Sequence, residues 1–180
     1  HFAARAHFKN ALEQHNIPAS EMLVSPTLSN IFLWRMVARD AQNYYISYWS
    51  FWDDESRPFT VDSIIHQAST ADPYLDSKAF NTLDWFSKGW WKVFNDPEQP
   101  NSIYFVDMRF GEIQNFEHDP PIIATPFMWH LSIDEDGNVH DRQTAMRDGI
   151  NMQKAIEILH ERVSGRAPNW MLGTWPWDLK

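Results

Sequence analysis

The sequence predicts an α+β fold, a largely antiparallel β-sheet with helices packed on it, on three observations. Period-two runs rich in rings and β-branched residues recur along the chain, and three other segments repeat at three to four. The strand-like runs cluster without the regular strand–helix–strand alternation that builds a parallel sheet. Finally, 180 residues that are 43% apolar and 22% charged can bury a core without disulfide or metal. One domain, 1–180, is expected at that length.

The first element is a helix over residues 1–17. Ala4, Phe8, Ala11 and His15 lie at helical spacing, and Asn16 and Pro18 supply the stop. Met22-Leu23-Val24 follows, with Ser25-Pro26-Thr27 as a break. Ile31 to Arg39 then alternates as a strand, with Phe32, Trp34, Met36 and Ala38 on one face and Leu33, Arg35, Val37 and Arg39 on the other. Asp40-Ala41-Gln42 turns the chain into a second strand, Asn43 to Trp52, and the two form an antiparallel hairpin. Residues 53–58 read as a polar loop and Phe59 to Ile65 as a third strand.

Asp72-Pro73 is a helix-start signal, and Leu75, Ala79, Leu83, Phe86, Trp90 and Val93 continue at steps of three or four. One helix running up to Asn95 is expected there. Ile103 to Phe110 is a strand, with Glu112 to His118 returning as its partner. Thr125 to Asp134 and Val139 to Arg142 pair across the turn Glu135-Asp136-Gly137-Asn138. Met152, Ile156, Leu159 and Val163 mark a last helix, stopped by Ser164-Gly165. The tail, 166–180, holds Trp170, Trp175 and Trp177, which are expected to fold back onto the body.

Composition excludes several functions. A net charge of −9 disfavours nucleic acid and anionic lipid as general partners. Without cysteine there is no thiolate nucleophile, thiolate metal site or disulfide. No stretch approaches the roughly 18–20 apolar residues of a membrane span. The chain opens at His1 without initiator Met or signal-peptide pattern, so a piece of a longer protein is expected. Ten Trp are unusual. They build either a ring-filled core or a ring-lined groove for a sugar, a lipid or a partner chain.

Candidate chemistry is sparse. Asp107 and Arg109 lie two apart on one strand, roughly 7 Å apart on one face, as a site or as a structural ion pair. Trp34 and Arg35 are binding candidates, ring and guanidinium on opposite faces. Arg35 either takes a carboxylate or phosphate in two-point fashion or satisfies Asp107 across the sheet, the preferred reading. No pair among the eight His has metal-ligand spacing. His130 beside Trp129 is the best single candidate for acid–base or metal chemistry, with His66 and His118 behind it. One arrangement to consider has His130, Asp107 and Glu112 converging on a metal. Asp134-x-Asp136-Gly137-Asn138 faintly resembles a calcium loop, but Gly137 is fourth rather than sixth, so a turn explains it. Ser25, Ser50 and Ser87 lie in no nucleophile context, and Asp53, Asp54 and Glu55 read as a solvated turn.

Four segments together resemble a known set. They are Pro26-Thr27-x-x-Asn30-x-x-x-Trp34-Arg35, Tyr44-Tyr45-Ile46-Ser47-Tyr48-Trp49-Ser50, Trp85-Phe86-Ser87-Lys88-Gly89 and Asp107-x-Arg109-Phe110-Gly111. In order and spacing they resemble the C-terminal soluble part of bacterial proteins described as LexA-binding, inner-membrane-associated, metal-dependent hydrolases, over about residues 20–135. The resemblance implies hydrophobic helices upstream that carry the hydrolase chemistry and any divalent metal, so no metal ligand transfers to a residue here. It implies an extramembrane domain at the bacterial inner membrane, on either side, that binds or positions substrate or a protein partner. The opening helix would then continue from a membrane span. The alternatives are a self-contained metal-dependent hydrolase and a non-enzymatic aromatic-groove binding module.

Overall fold

The computed structural model describes residues 1–27, 30–54, 56, 58–115, 122–144, 151–166 and 178. The chain gathers into two compact units, His1–His66 with Met152–Trp170 and Gln67–Asn151 with Met171–Lys180. Each carries a four-stranded antiparallel sheet, and the fold is α+β as its patterning predicts.

In the first unit, α1 (Phe2–Gln14) precedes β1 (Glu21–Pro26), β2 (Leu33–Arg39), β3 (Asn43–Ser50) and β4 (Asp62–Ile65), ordered β1-β2-β3-β4. Ala4, Phe8 and Leu12 of α1 pack on Met36, Ala38 and Tyr45 of the sheet, so the helix covers the Trp34–Met36–Ala38 face of the two that alternation defines. The segment expected to break the chain instead belongs to β1. Pro26 is tolerated there because β1 is an edge strand whose last N–H no ladder needs. After β4 and the second unit, the chain returns as α3 (Met152–Val163), whose bounds match the sequence reading. Gly165 ends it at φ +75°, and a Cβ there would collide with the carbonyl of Trp52.

In the second unit a short 3-10 helix (Ala68–Tyr74) leads to α2 (Lys78–Ser87). The sheet runs β10-β9-β6-β5, from β5 (Trp91–Asn95), β6 (Ser102–Asp107), β9 (Met128–Ile133) and β10 (Val139–Thr144). β7 (Ile113–Asn115) pairs with β8 (Ile122–Ala124). Phe80 and Leu83 of α2 join Ala71, Tyr74, Val93, Ile103, Phe105 and Leu131 in one core.

Two expectations are corrected here. The single helix from Asp72 into residue 94 is a 3-10 turn, a ten-residue helix and a strand. Ser77 caps α2, its Oγ accepting from the Phe80 amide at 3.1 Å, and Lys88 and Gly89 end it at φ +57° and +72°. Trp90 and Val93 fit a helical stripe by position, yet Trp91–Asn95 is rich in β-favouring side chains and pairs with β6. The partner expected for β6 from residues 112–118 also goes elsewhere, because β5 and β9 already fill both edges of β6. His118, Glu55, Trp170, Trp175 and Trp177 lie outside the described residues. Among the described residues, no helix is long and apolar enough to cross a membrane.

Candidate functional site

The first place of interest is the end of the first sheet where β2 begins and β3 stops. Leu33 faces Ser50 and Trp34 faces Trp49 in register, and the Phe51 amide donates to the Phe32 carbonyl at 2.9 Å. Two turns therefore project side by side. One carries Ile31 (70% exposed) and Phe32, the other Phe51 (61%) and Trp52 (59%). Their rings touch in series: Trp49 to Phe51 at 6.0 Å, Phe51 to Trp52 at 6.1 Å and Trp52 to Phe32 at 6.0 Å. From α1, His7 stacks on Trp49 at 4.9 Å and His1 meets Trp34 at 5.9 Å, leaving Phe2 open to solvent. Burial against the ring holds the His7 imidazole below its ordinary pKa, with the Asp53 charge opposing.

Trp34, a binding candidate, thus sits in this surface, its Nε1 donating to the Ile31 carbonyl at 3.0 Å. Arg35 points away, buried on the other face of β2. Its expected partner is corrected: Arg35 lies in the first sheet and Asp107 in the second, so no ladder sets them opposite one another. The solvated turn is also corrected at Asp53. Its carboxylate is buried and takes Arg162 of α3 in a two-point bond, 2.6 and 2.8 Å, while Arg162 also donates to the Tyr48 carbonyl at 3.0 Å. The Ser50 hydroxyl donates to the Val163 carbonyl.

The second place is the face of the second sheet turned away from α2. Phe94, Tyr104, His130 and Arg142 stand in one row across four strands. The His130 Nε2 lies 3.0 Å from the Asp96 carboxylate, and its ring is 5.1 Å from Tyr104. Burial pushes the Asp96 carboxyl up, but the amides of Glu98 and Gln99 and the His130 imidazole outweigh it, holding the group below its ordinary range. Burial and the Asp96 charge raise the Tyr104 phenol. Asp96 and Tyr104 were not legible as partners of His130: the chain separates Asp96 from His130 by 34 residues. The sequence signal for the site was His130 itself, a lone histidine beside Trp129 within a strand.

The third place is the Asp107–Arg109 pair. β6 stops at Asp107, and the chain turns so that Arg109 folds back on it, Nη2 to Oδ2 at 2.6 Å and Nε to Oδ1 at 2.9 Å. The guanidinium lies 5.2 Å from the centre of Phe86 and 5.4 Å from Phe110. The bond to Asp107 raises the pKa of Arg109. Beside it, Asp84, Trp85, Phe86, Lys88 and Gly89 line a shallow hollow of about 380 Å³. Asp84 is already engaged by the Trp91 indole N–H at 2.7 Å.

The metal arrangement of His130, Asp107 and Glu112 meets a geometric obstacle. Tyr104 and His130 share one face of the sheet, whereas Asp107, an odd number of residues along β6, points to the other. Among the described residues no three His, Asp or Glu side chains come together to hold a metal ion. His66 packs on Tyr44 at 5.2 Å. The calcium-like segment is a turn closed on itself. His140 and the Asn138 amide, at 2.8 Å each, hold the Asp134 carboxyl well below its ordinary range.

What the geometry defines is an α+β chain with a ring-covered end on its first sheet and with Asp53, Asp96 and Asp107 each paired to a cation or imidazole of the same chain. Comparison with protein-family models, with curated proteins and with solved structures gives no match.

Proposed function

We propose that this chain is the extramembrane binding part of a membrane-bound, metal-dependent hydrolase, holding a substrate or partner while the chemistry resides elsewhere in the protein. The observation that carries the binding role is the exposed ring series Phe32–Trp52–Phe51, continued inward by the half-buried Trp49. Rings left open on adjacent turns forgo the stabilisation of burial, roughly 1.5–3 kcal/mol for a Phe-sized side chain, and contact with a ligand or partner recovers it. The hydrolase context is supported by the resemblance of the four segments in order and spacing. The acids and His130 that stood as catalytic candidates are engaged by neighbours in this chain: Asp107 by Arg109, His130 by Asp96.

The test is an assay of the 180-residue chain against p-nitrophenyl acetate and bis-p-nitrophenyl phosphate, stripped with chelator and reloaded with Zn²⁺ or Mn²⁺. No turnover above buffer is expected from this chain, against metal-dependent turnover from the protein with its upstream segment. Metal-dependent turnover by the chain alone, lost in His130→Ala, would establish the self-contained hydrolase instead.

A further inference from the structure

We propose that the hollow at the C-terminal end of α2 is a saccharide site, in which Trp85 stacks on one face of a pyranose ring while Asp84 and Lys88 hold two of its neighbouring hydroxyls. The site lies in the second unit and goes beyond the binding role proposed above, which rests on the rings of the first sheet.

The way the helix ends builds the hollow. The Lys88 amide donates to the Trp85 carbonyl at 3.2 Å and the Gly89 amide to the Asp84 carbonyl at 3.1 Å, so the chain reverses just beyond the last turn. Both residues are left-handed, at φ +57° and +72°. Asp84, Trp85, Phe86, Lys88 and Gly89 border about 380 Å³, within the roughly 300–1,000 Å³ of small-ligand sites.

Trp85 is 78% exposed. Among the described indoles, Trp34, Trp49, Trp52, Trp91 and Trp129 each lie against another ring, and Trp90 is buried. Trp85 does neither, and its Nε1 has no acceptor among the described residues. Phe86 beside it is already occupied, with Trp129 at 5.9 Å and the Arg109 guanidinium at 5.2 Å. The open platform is therefore one indole wide, which suits a single sugar ring better than a lipid surface or a length of peptide.

The flanking charges specify the rest. Asp84 Oδ1 accepts from the Trp91 indole at 2.7 Å, which fixes the carboxylate and leaves Oδ2 as an acceptor. Lys88, four residues on, would pair with Asp84 along a continuing helix. The left-handed turn takes it off that path, and no ion pair joins the two. One fixed acceptor and one separate donor thus stand beside a flat apolar face. Neighbouring sugar hydroxyls both donate and accept, so one meets the carboxylate and the other the ammonium in charge-assisted bonds. The C–H groups of the sugar face, polarised by the adjoining oxygens, meet the electron-rich face of the indole. A lipid tail or an apolar side chain would cover the ring but leave both charges stranded.

The experiment is saturation-transfer NMR, titrated on the 180-residue chain with cellotetraose and chitotetraose, whose β-linked rings carry C–H groups on both faces. Saturating the aromatic protons of the protein is expected to reach the axial C–H protons of at least one of the two sugars. Trp85→Ala is expected to weaken binding at least about tenfold with an unchanged melting temperature, since the ring covers no core residue. Lys88→Gly removes the donor and supplies the residue that left-handed helix ends prefer. It is expected to weaken binding while raising the melting temperature, a combination that a merely structural lysine would not give. Absence of transfer to both sugars from the wild-type chain overturns the proposal, as does undiminished binding in either variant. Transfer to free phenylalanine and not to the sugars, lost in Trp85→Ala, assigns the hollow to a zwitterion and also overturns it. The hydrolase assay is a separate readout: turnover by the chain alone would sink the proposed division of labour and leave this site standing.

Discussion

Two guanidinium–carboxylate pairs use the same chemistry at opposite ranges. Asp107 and Arg109 are two residues apart and meet because the chain turns at the end of β6. Asp53 and Arg162 are 109 residues apart and meet only because α3 returns to the end of β3. Both are two-point pairs with a 2.6 Å contact, so bond geometry does not distinguish them. Surroundings do. The Asp53–Arg162 side chains are 6% and 3% exposed, whereas Arg109 keeps an open edge beside Phe86 and Phe110. The local pair finishes a strand. The distant one fastens a whole helix to the first sheet, together with the Ser50–Val163 bond and the close approach of Gly165 to Trp52.

The largest effect should come from breaking the distant pair. Arg162→Leu leaves Asp53 buried without its cation and should cost about 3–5 kcal/mol in urea unfolding, with hydrogen exchange rising along α3. Replacing both residues by leucine should recover much of that loss, because no buried charge is then stranded. If the double variant is no more stable than the single, the cost lies in packing and not in the uncompensated carboxylate.

Asp107→Asn should cost less, about 2–3 kcal/mol, since Arg109 retains solvent and two ring faces when its carboxylate is neutralised. The same denaturation measurement checks the order of the two losses. Exchange should rise around residues 107–111 and not along α3.

A third buried cation sharpens the contrast, because lysine can shed its charge where a guanidinium cannot. Lys92 on β5 is buried, and burial pushes its ammonium down to about 8 against the opposing charge of Asp178. The folded-state value lies below the ordinary 10.5, so the native state gives up its proton first. Wild-type stability should therefore rise as pH increases from about 8 to 10.5, and the deficit is full at neutral pH. Lys92→Met should raise the melting temperature at pH 7 by the equivalent of about 1–2 kcal/mol, and this gain should shrink across the same interval. A gain that does not vary with pH would place the effect in packing alone.

These pairs also measure what a sequence reveals. Asp107 and Arg109 could be read as partners because they are two residues apart, but the expected strand over both is corrected: β6 ends at Asp107 and the side chains meet across a turn, not along one strand face. The hairpin of β2 and β3, the turn before β10 and the bounds of α3 were legible for the same reason: alternation, turn residues and the Ser164-Gly165 stop act within a few residues. Even local signals competed around Trp90 and Val93, where helical spacing and β-favouring side chains coincide and strand pairing with β6 prevailed. Asp53 looked like part of a solvated loop because nothing near it in the chain announces Arg162, and His130 had no visible carboxylate because Asp96 lies 34 residues away.

By itself, then, the sequence determined the α+β class, most of the helices and hairpins, and which residues of β2 share a face, since backbone geometry and side-chain periodicity are properties of neighbours. Tertiary structure decided the partners of Asp53 and His130, the helix cut short at Lys88 and the gathering of Ile31, Phe32, Phe51 and Trp52 at one sheet end. Those depend on which distant segments are brought into register, and the free energy of burying a charge or a ring is set by what arrives there and not by what is adjacent along the chain.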